Sequence, residues 1–254
     1  MPERDAGAPP AICVRGLSYA YEGEDEVLKD VAFTASQGET IVLVGLSGCG
    51  KTTLCRCLAG LAPKALGGML RGSVHILGQD IAELPLAHLA TRVGFVFQDP
   101  DNQMVTTTVE DELAFGPENL AVDPAEIRGR VDDGLRRYRA SHLALRSPNS
   151  LSGGEKRLVA IAAVLALDPP VVILDEPFAH LDERGRDTVR DVVLELRRKG
   201  RTLIIVEHDI SRTAFADRYL LIEDGRLACT TSSPPRAYLD PVPADVESVG
   251  GRTV

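Results

Sequence analysis

Two rhythms of apolar and polar positions alternate along the chain. Residues 40–44 (TIVLV) are a β-branched apolar run bracketed by Gly38 and Gly45, which predicts a buried strand. Residues 11–17, 27–33, 73–77 and 93–98 predict further strands. Residues 171–174 and 202–206 are continuous apolar runs of the kind found in parallel sheets covered on both faces. Between these two runs, Val189, Val192, Val193 and Leu196 recur at i, i+3, i+4 and i+7, predicting a helix over 183–199 on a βαβ crossover. A helical pattern also covers 51–61. From 109 to 167 helix signals dominate, and Asp123-Pro124-Ala125-Glu126 reads as a capping box with proline at the first helical position. An α/β domain over 11–228 is expected, with core segments 11–98 and 165–228 and a helical lobe at about 99–164. Residues 1–10 and 229–254, rich in Pro, Ser and Gly, are expected to be loosely ordered tails.

Composition narrows the class. Hydrophobic residues are 44% and charged residues 26%, which suits a soluble globular chain and is too apolar for wholesale disorder. The longest apolar run, 158–167, is about half of the ~20 residues that span a bilayer, so any membrane role needs partners. The opening MPERDAGAPP carries acid and no apolar stretch, unlike a secretory signal. A net charge of −9 disfavours a generic nucleic-acid binder. Five cysteines are an odd number, and Cys55-Arg-Cys57 lacks a partner pair at zinc spacing; reduced thiols are expected.

Candidate chemistry begins right after the 40–44 run. Gly45-Leu46-Ser47-Gly48-Cys49-Gly50-Lys51-Thr52 fits G-x-x-x-x-G-K-[ST], between a strand and a helix as that motif requires. Glycines let successive N–H groups curl round an anion, and the helix aims its positive end at the same point. Lys51 is placed to reach the β- and γ-phosphates and the Thr52 hydroxyl to coordinate Mg²⁺. No Asn-Lys-x-Asp stretch is present to read guanine; small-molecule kinases stay open at this point. Residues 171–176 (VVILDE) end a strand in two carboxylates. Asp175 is placed to hold Mg²⁺, and Glu176 to orient and polarise an attacking water.

Leu151-Ser152-Gly153-Gly154-Glu155 precedes another helical run. Ser152 and Glu155 form a capping box, and two bare glycines at a helix start make a second anion-binding end. With LSGGE just upstream of LDEP, the chain resembles the nucleotide-binding subunit of an ABC transporter over roughly residues 11–228. The resemblance implies a P-loop NTPase (RecA-like) core with an antiparallel β subdomain and an inserted α-helical subdomain. It implies ATP and Mg²⁺ as ligands and ATP hydrolysis as the activity. Tyr21 matches the aromatic that stacks on adenine, with Tyr19 as the alternative. Thr53 follows Thr52 in the nucleotide pocket. Gln98 matches the glutamine that touches Mg²⁺ and water. Asp182, in His180-Leu181-Asp182, matches the loop that crosses a dimer seam. His208 matches the switch histidine that contacts the γ-phosphate and steadies the catalytic Glu176. Ser152, Gly153, Gly154 and Glu155 would face the nucleotide of a second subunit in a head-to-tail dimer. Glu155 stands where the family has Gln; as third helical residue it can fold back to the Ser152 N–H. Glu207, where many importers carry Thr, has no explanation in the sequence.

Residues 98–103 (QDPDNQ) followed by 108–119 (TVEDELAFGPEN) resemble the energy-coupling factor group of vitamin and transition-metal importers. That resemblance implies a second ABC ATPase subunit, either a copy or a paralogue, and two membrane partners, a transmembrane coupling subunit and a substrate-binding subunit. It places the chain peripherally on the cytoplasmic face of the membrane, without nucleic acid. An ordinary ABC importer or exporter ATPase is the main alternative. DNA-repair types carry a long coiled coil and ribosome types two cassettes, and neither pattern is seen here.

Overall fold

The computed structural model describes residues 9–235. Its centre is a six-stranded sheet in the order β10 (Arg226–Thr231), β9 (Arg218–Glu223), β3 (Thr40–Val44), β8 (Thr202–Val206), β7 (Val171–Asp175), β6 (Val93–Val96). All neighbours are parallel except the β9–β10 hairpin. Strand alternation divides the core. Ile41, Leu43, Ile173, Ile204 and Val206 point to one face, and Val42, Val44, Leu174, Leu203 and Ile205 to the other. Both sets are fully buried, which is why these runs read as continuously apolar.

On the first face lie α1 (Lys51–Leu58) and a four-stranded antiparallel sheet, in the order β2 (Glu26–Ala35), β1 (Ile12–Ala20), β4 (Met69–Ile76), β5 (Gln79–Asp80). Short helices α2 (Leu61–Lys64) and α3 (Leu86–Ala90) complete that side. On the second face lie α4 (Val109–Asn119), α5 (Pro124–Arg137), α6 (Gly153–Leu165) and α7 (Glu183–Arg198). The apolar stripe of α7, Val189, Val192, Val193 and Leu196, is its buried side. Among the described residues no helix is long and apolar enough to cross a membrane.

Several expected boundaries move. The strand at 93–98 stops at Val96, because side chains rather than a neighbouring strand take the Phe97 N–H and C=O. The helix from Lys51 ends at Leu58, before Gly60 turns with φ 72°. At 123–126 the capping box does not form. Asp123 accepts from the Ala125 N–H, but Glu126 pairs forward with Arg130 instead of returning. Strand β10 continues to Thr231, past the expected boundary at 228. The remainder of the two expected tails, 1–8 and 236–254, lies outside the described residues.

Candidate functional site

Strands β3, β8, β7 and β6 are adjacent and parallel, so the segments leaving their carboxyl ends meet. They enclose a cleft of about 210 Å³ lined by Ser47, Gly48, Gly50, Lys51, Thr52, Thr53, Gln98, Glu176 and His208, with Val27 at its wall.

The loop from Gly45 to Gly50 needs its glycines. At Gly45, φ is 151° and a Cβ would lie 2.3 Å from the Ile222 carbonyl oxygen and 2.7 Å from Cys49 Sγ. Gly50 opens α1 with φ 107°. Lys51 is buried, and its Nζ donates to the carbonyls of Gly45 (2.9 Å) and Leu46 (2.8 Å), which draws the loop around the ammonium. Gly225 N–H donates to the Cys49 carbonyl and braces the loop from the β9–β10 turn. Tyr21 reaches the same region. Its hydroxyl lies 3.2 Å from Thr53 Oγ1 and accepts from Arg56 Nη1 at 3.0 Å. Tyr19 is fully buried, donating to the Gly67 carbonyl, so it presents no face for stacking.

Across the cleft, Glu176 is gripped from two sides. Gln98 Nε2 donates to Oε2 at 2.9 Å, and His208 Nε2 lies 3.0 Å from Oε1. Asp175, at the end of β7, is fully buried, and neither carboxylate oxygen has a hydrogen-bond partner. Burial raises its pKa, opposed by the nearby Thr52 hydroxyl and the charges of Arg56 and Lys51. A buried acid with only the Thr52 hydroxyl alongside fits a cation-holding position.

The other expected site residues lie elsewhere. Ser152, Gly153, Gly154 and Glu155 begin α6, and none of them lines the cleft. Here the capping box is complete. Glu155 N–H donates to Ser152 Oγ, and Ser152 N–H donates to Glu155 Oε2 at 2.8 Å. The Ser152 N–H and hydroxyl, both donating to Glu155 Oε2, lower the Glu155 pKa and hold the carboxylate back over the helix start. Arg146 flanks it at 3.8 Å. Asp182 caps α7, accepting from Gly185 N–H at 2.8 Å. A Cβ at Gly154 would sit 3.6 Å from Leu181 Cδ2, so the α6 start and the 180–182 loop are neighbours.

Two charged residues behind the cleft are absent from the sequence reading as site members. Arg157 is buried, and its Nη1 donates to the Phe97 carbonyl at 2.8 Å, one residue before Gln98. Burial lowers its pKa, opposed first by Asp99 and then by Glu176. Gln103 takes the other polar group of Phe97, accepting its N–H at 3.1 Å while donating to the Ala160 carbonyl of α6. Lys156 adds an ion pair to Asp101. Helical spacing from Val159–Ile161 would have placed Arg157 on the buried side of α6. Glu207, also buried, accepts from the Phe178 N–H.

The chain is similar to known proteins in sequence and fold. The ABC transporter family model matches residues 28–179. A putative ABC transporter ATP-binding protein of Methanosarcina mazei is 42% identical over 219 residues, 85% of this chain; the chain spans only 38% of that relative's length. The energy-coupling factor transporter ATP-binding protein EcfA1 of Levilactobacillus brevis is 41% identical, over 85% of this chain and 76% of that protein. Among solved structures, cbiO1 from Clostridium perfringens, described as part of the ABC transporter complex cbiONQ, superposes with a TM-score of 0.76 at 32% identity, covering 88% of both chains. An ATP-binding cassette solved as a dimer in a post-hydrolysis state with ADP and Pi gives 0.77 at 26% identity, over 87% of this chain and 98% of that one.

Proposed function

The chain belongs to the ABC transporter family, and from that premise we propose that it is the ATP-hydrolysing subunit of an importer of the energy-coupling factor type, for a vitamin or a transition-metal ion. The observation that carries this reading is a division of parts. Phosphate loop, Glu176, Gln98 and His208 share one cleft, with Asp175 buried behind it, while the Ser152–Glu155 helix start stands outside it. A second ATPase subunit, a copy or a paralogue, supplies its own α6 start to this cleft in a head-to-tail pair.

The chain's residues then take the following roles. Tyr21 stacks on adenine. The N–H groups of Ser47, Gly48, Cys49 and Gly50, together with Lys51 and Thr53, hold the phosphates. Thr52, Gln98 and Asp175 are the residues that would hold Mg²⁺, and the unpartnered oxygens of Asp175 suit it. Mg²⁺, when bound, supplies neutralisation of phosphate charge. Glu176 orients the attacking water and accepts its proton, steadied by His208 and Gln98. His208 also contacts the γ-phosphate. The partner's Ser-Gly-Gly helix start closes over the same phosphate, so hydrolysis removes what joins the two subunits. Membrane partners are a coupling subunit and a substrate-binding subunit, docked on the helical lobe at the cytoplasmic face. Exposed Val105, just before α4, and exposed Phe115, on α4, suit that contact.

Light scattering on Glu176→Gln tests the reading. Saturated with ATP and Mg²⁺, the variant is expected to double from 27.3 kDa and to turn over at least about 100-fold more slowly than wild type. A variant that hydrolyses at the wild-type rate overturns it, and one that stays single overturns a second copy as the partner.

A further inference from the structure

Glu207 is a costly residue to place where it lies. It is 6% exposed, directly after β8 and before His208, and burial pushes its carboxyl up to about 7. The cost points to a specific contact, and the structure contains one. Glu207 Oε1 accepts the Phe178 N–H at 3.2 Å.

Phe178 sits in the turn that carries Glu176. That turn is strained. Glu176 has φ 49° and His180 φ 58°, left-handed values that non-glycine residues adopt only when their surroundings fix them. Besides the grip of Gln98 and His208 on the Glu176 side chain, the backbone of the turn is fixed by few bonds. Glu176 N–H donates to the Val206 carbonyl at 3.1 Å, Ala179 N–H closes back on the Glu176 carbonyl at 3.2 Å, and Phe178 N–H goes to Glu207. The first two come from backbone carbonyls that any sequence would offer. The third depends on one side chain, and without it a buried N–H loses its partner.

We propose that Glu207 is a positioning residue, whose side-chain oxygen tethers the 176–180 turn through the Phe178 amide and thereby sets where the Glu176 carboxylate stands in the cleft. This rests on the reading of Glu176 as the residue that orients water. The tether lies on the acidic side only and touches no residue of the phosphate loop. It therefore acts on turnover and not on nucleotide affinity. It also adds, to the Glu176–Val206 and His208–Glu176 contacts, a link between the segment at His208 and the turn that leads into the 180–182 loop. What the link needs is an acceptor oxygen of the right reach, which glutamine provides and valine does not.

The experiment compares full-length wild type, Glu207→Gln and Glu207→Val by steady-state ATPase kinetics and by amide hydrogen exchange at Phe178. Glu207→Val is expected to lower kcat at least about tenfold, as misplaced catalytic groups do, with KM within about twofold. Exchange at Phe178 should quicken by about tenfold or more. Glu207→Gln should restore both to near wild-type values. Unchanged exchange in Glu207→Val, or a glutamine variant as impaired as the valine one, overturns the proposal. Should Glu207→Val fail to fold, Glu207→Ser takes its place, and protected Phe178 exchange in that variant overturns the tether. Wild-type protein without ATPase activity would instead defeat the functional reading, and the exchange data would still decide the tether.

Discussion

The two walls of the cleft are built by opposite routes. The phosphate-loop wall is one contiguous segment, residues 45–53, whose shape follows from its own glycines and from Lys51 bonding to carbonyls five and six residues back. The acidic wall gathers Gln98, Asp175, Glu176 and His208 from the ends of three strands, and side chains from further away hold it in register. Arg157 holds Phe97 from α6, and Glu207 holds Phe178 from the end of β8. A contiguous wall depends mainly on local geometry, with one outside brace from Gly225, and is damaged chiefly from within. An assembled wall can be damaged from residues that never meet the nucleotide.

Substitutions on the two walls should therefore separate binding from turnover. The largest effect is expected from Lys51→Ala. If the Lys51 ammonium holds phosphate as proposed, its removal should weaken nucleotide binding by roughly 10–100-fold, the worth of a hydrogen bond to a charged group. Fluorescence titration with ADP measures it, and unchanged affinity would erase the contrast. Next comes Arg157→Leu, which leaves the Phe97 carbonyl unpaired at a cost of about 1–3 kcal/mol. A drop in kcat of about tenfold, with ADP affinity held, is expected. Parallel loss of both would show that α6 supports the two walls alike. The smallest effect is expected from Glu155→Gln. The carboxylate is engaged with Ser152 and lines no part of the cleft, so turnover should change by less than about twofold, with a stability cost no larger than that of a helix cap, about 1 kcal/mol. A large gain in turnover would show that this charge opposes the phosphate.

The same division explains what could be read in advance. The phosphate loop, the strand at Thr40–Val44 and the α7 stripe are local patterns, so residue order alone displays them. The Ser152–Glu155 cap is local too, and its geometry follows the expected one. At Asp123 the same pattern misleads, because Arg130 competes for Glu126 at helical spacing. Strands β9 and β10 left no clear signal, since β10 is mostly exposed and β9 opens on a charged residue. Arg157 and Glu207 could not be assigned, because their partners are the backbone groups of Phe97 and Phe178, 60 and 29 residues away. Backbone partners leave no trace in side-chain identity.

The phosphate loop, Gln98, Glu176 and His208 all depart from the same rim of the central sheet. The opposite rim, where Gly38, Pro170 and Gly200 connect strands to what precedes them, lends nothing to the chemistry. Drift in length or charge can accumulate on that far side while catalysis stays fixed, leaving it the natural place to graft a reporter.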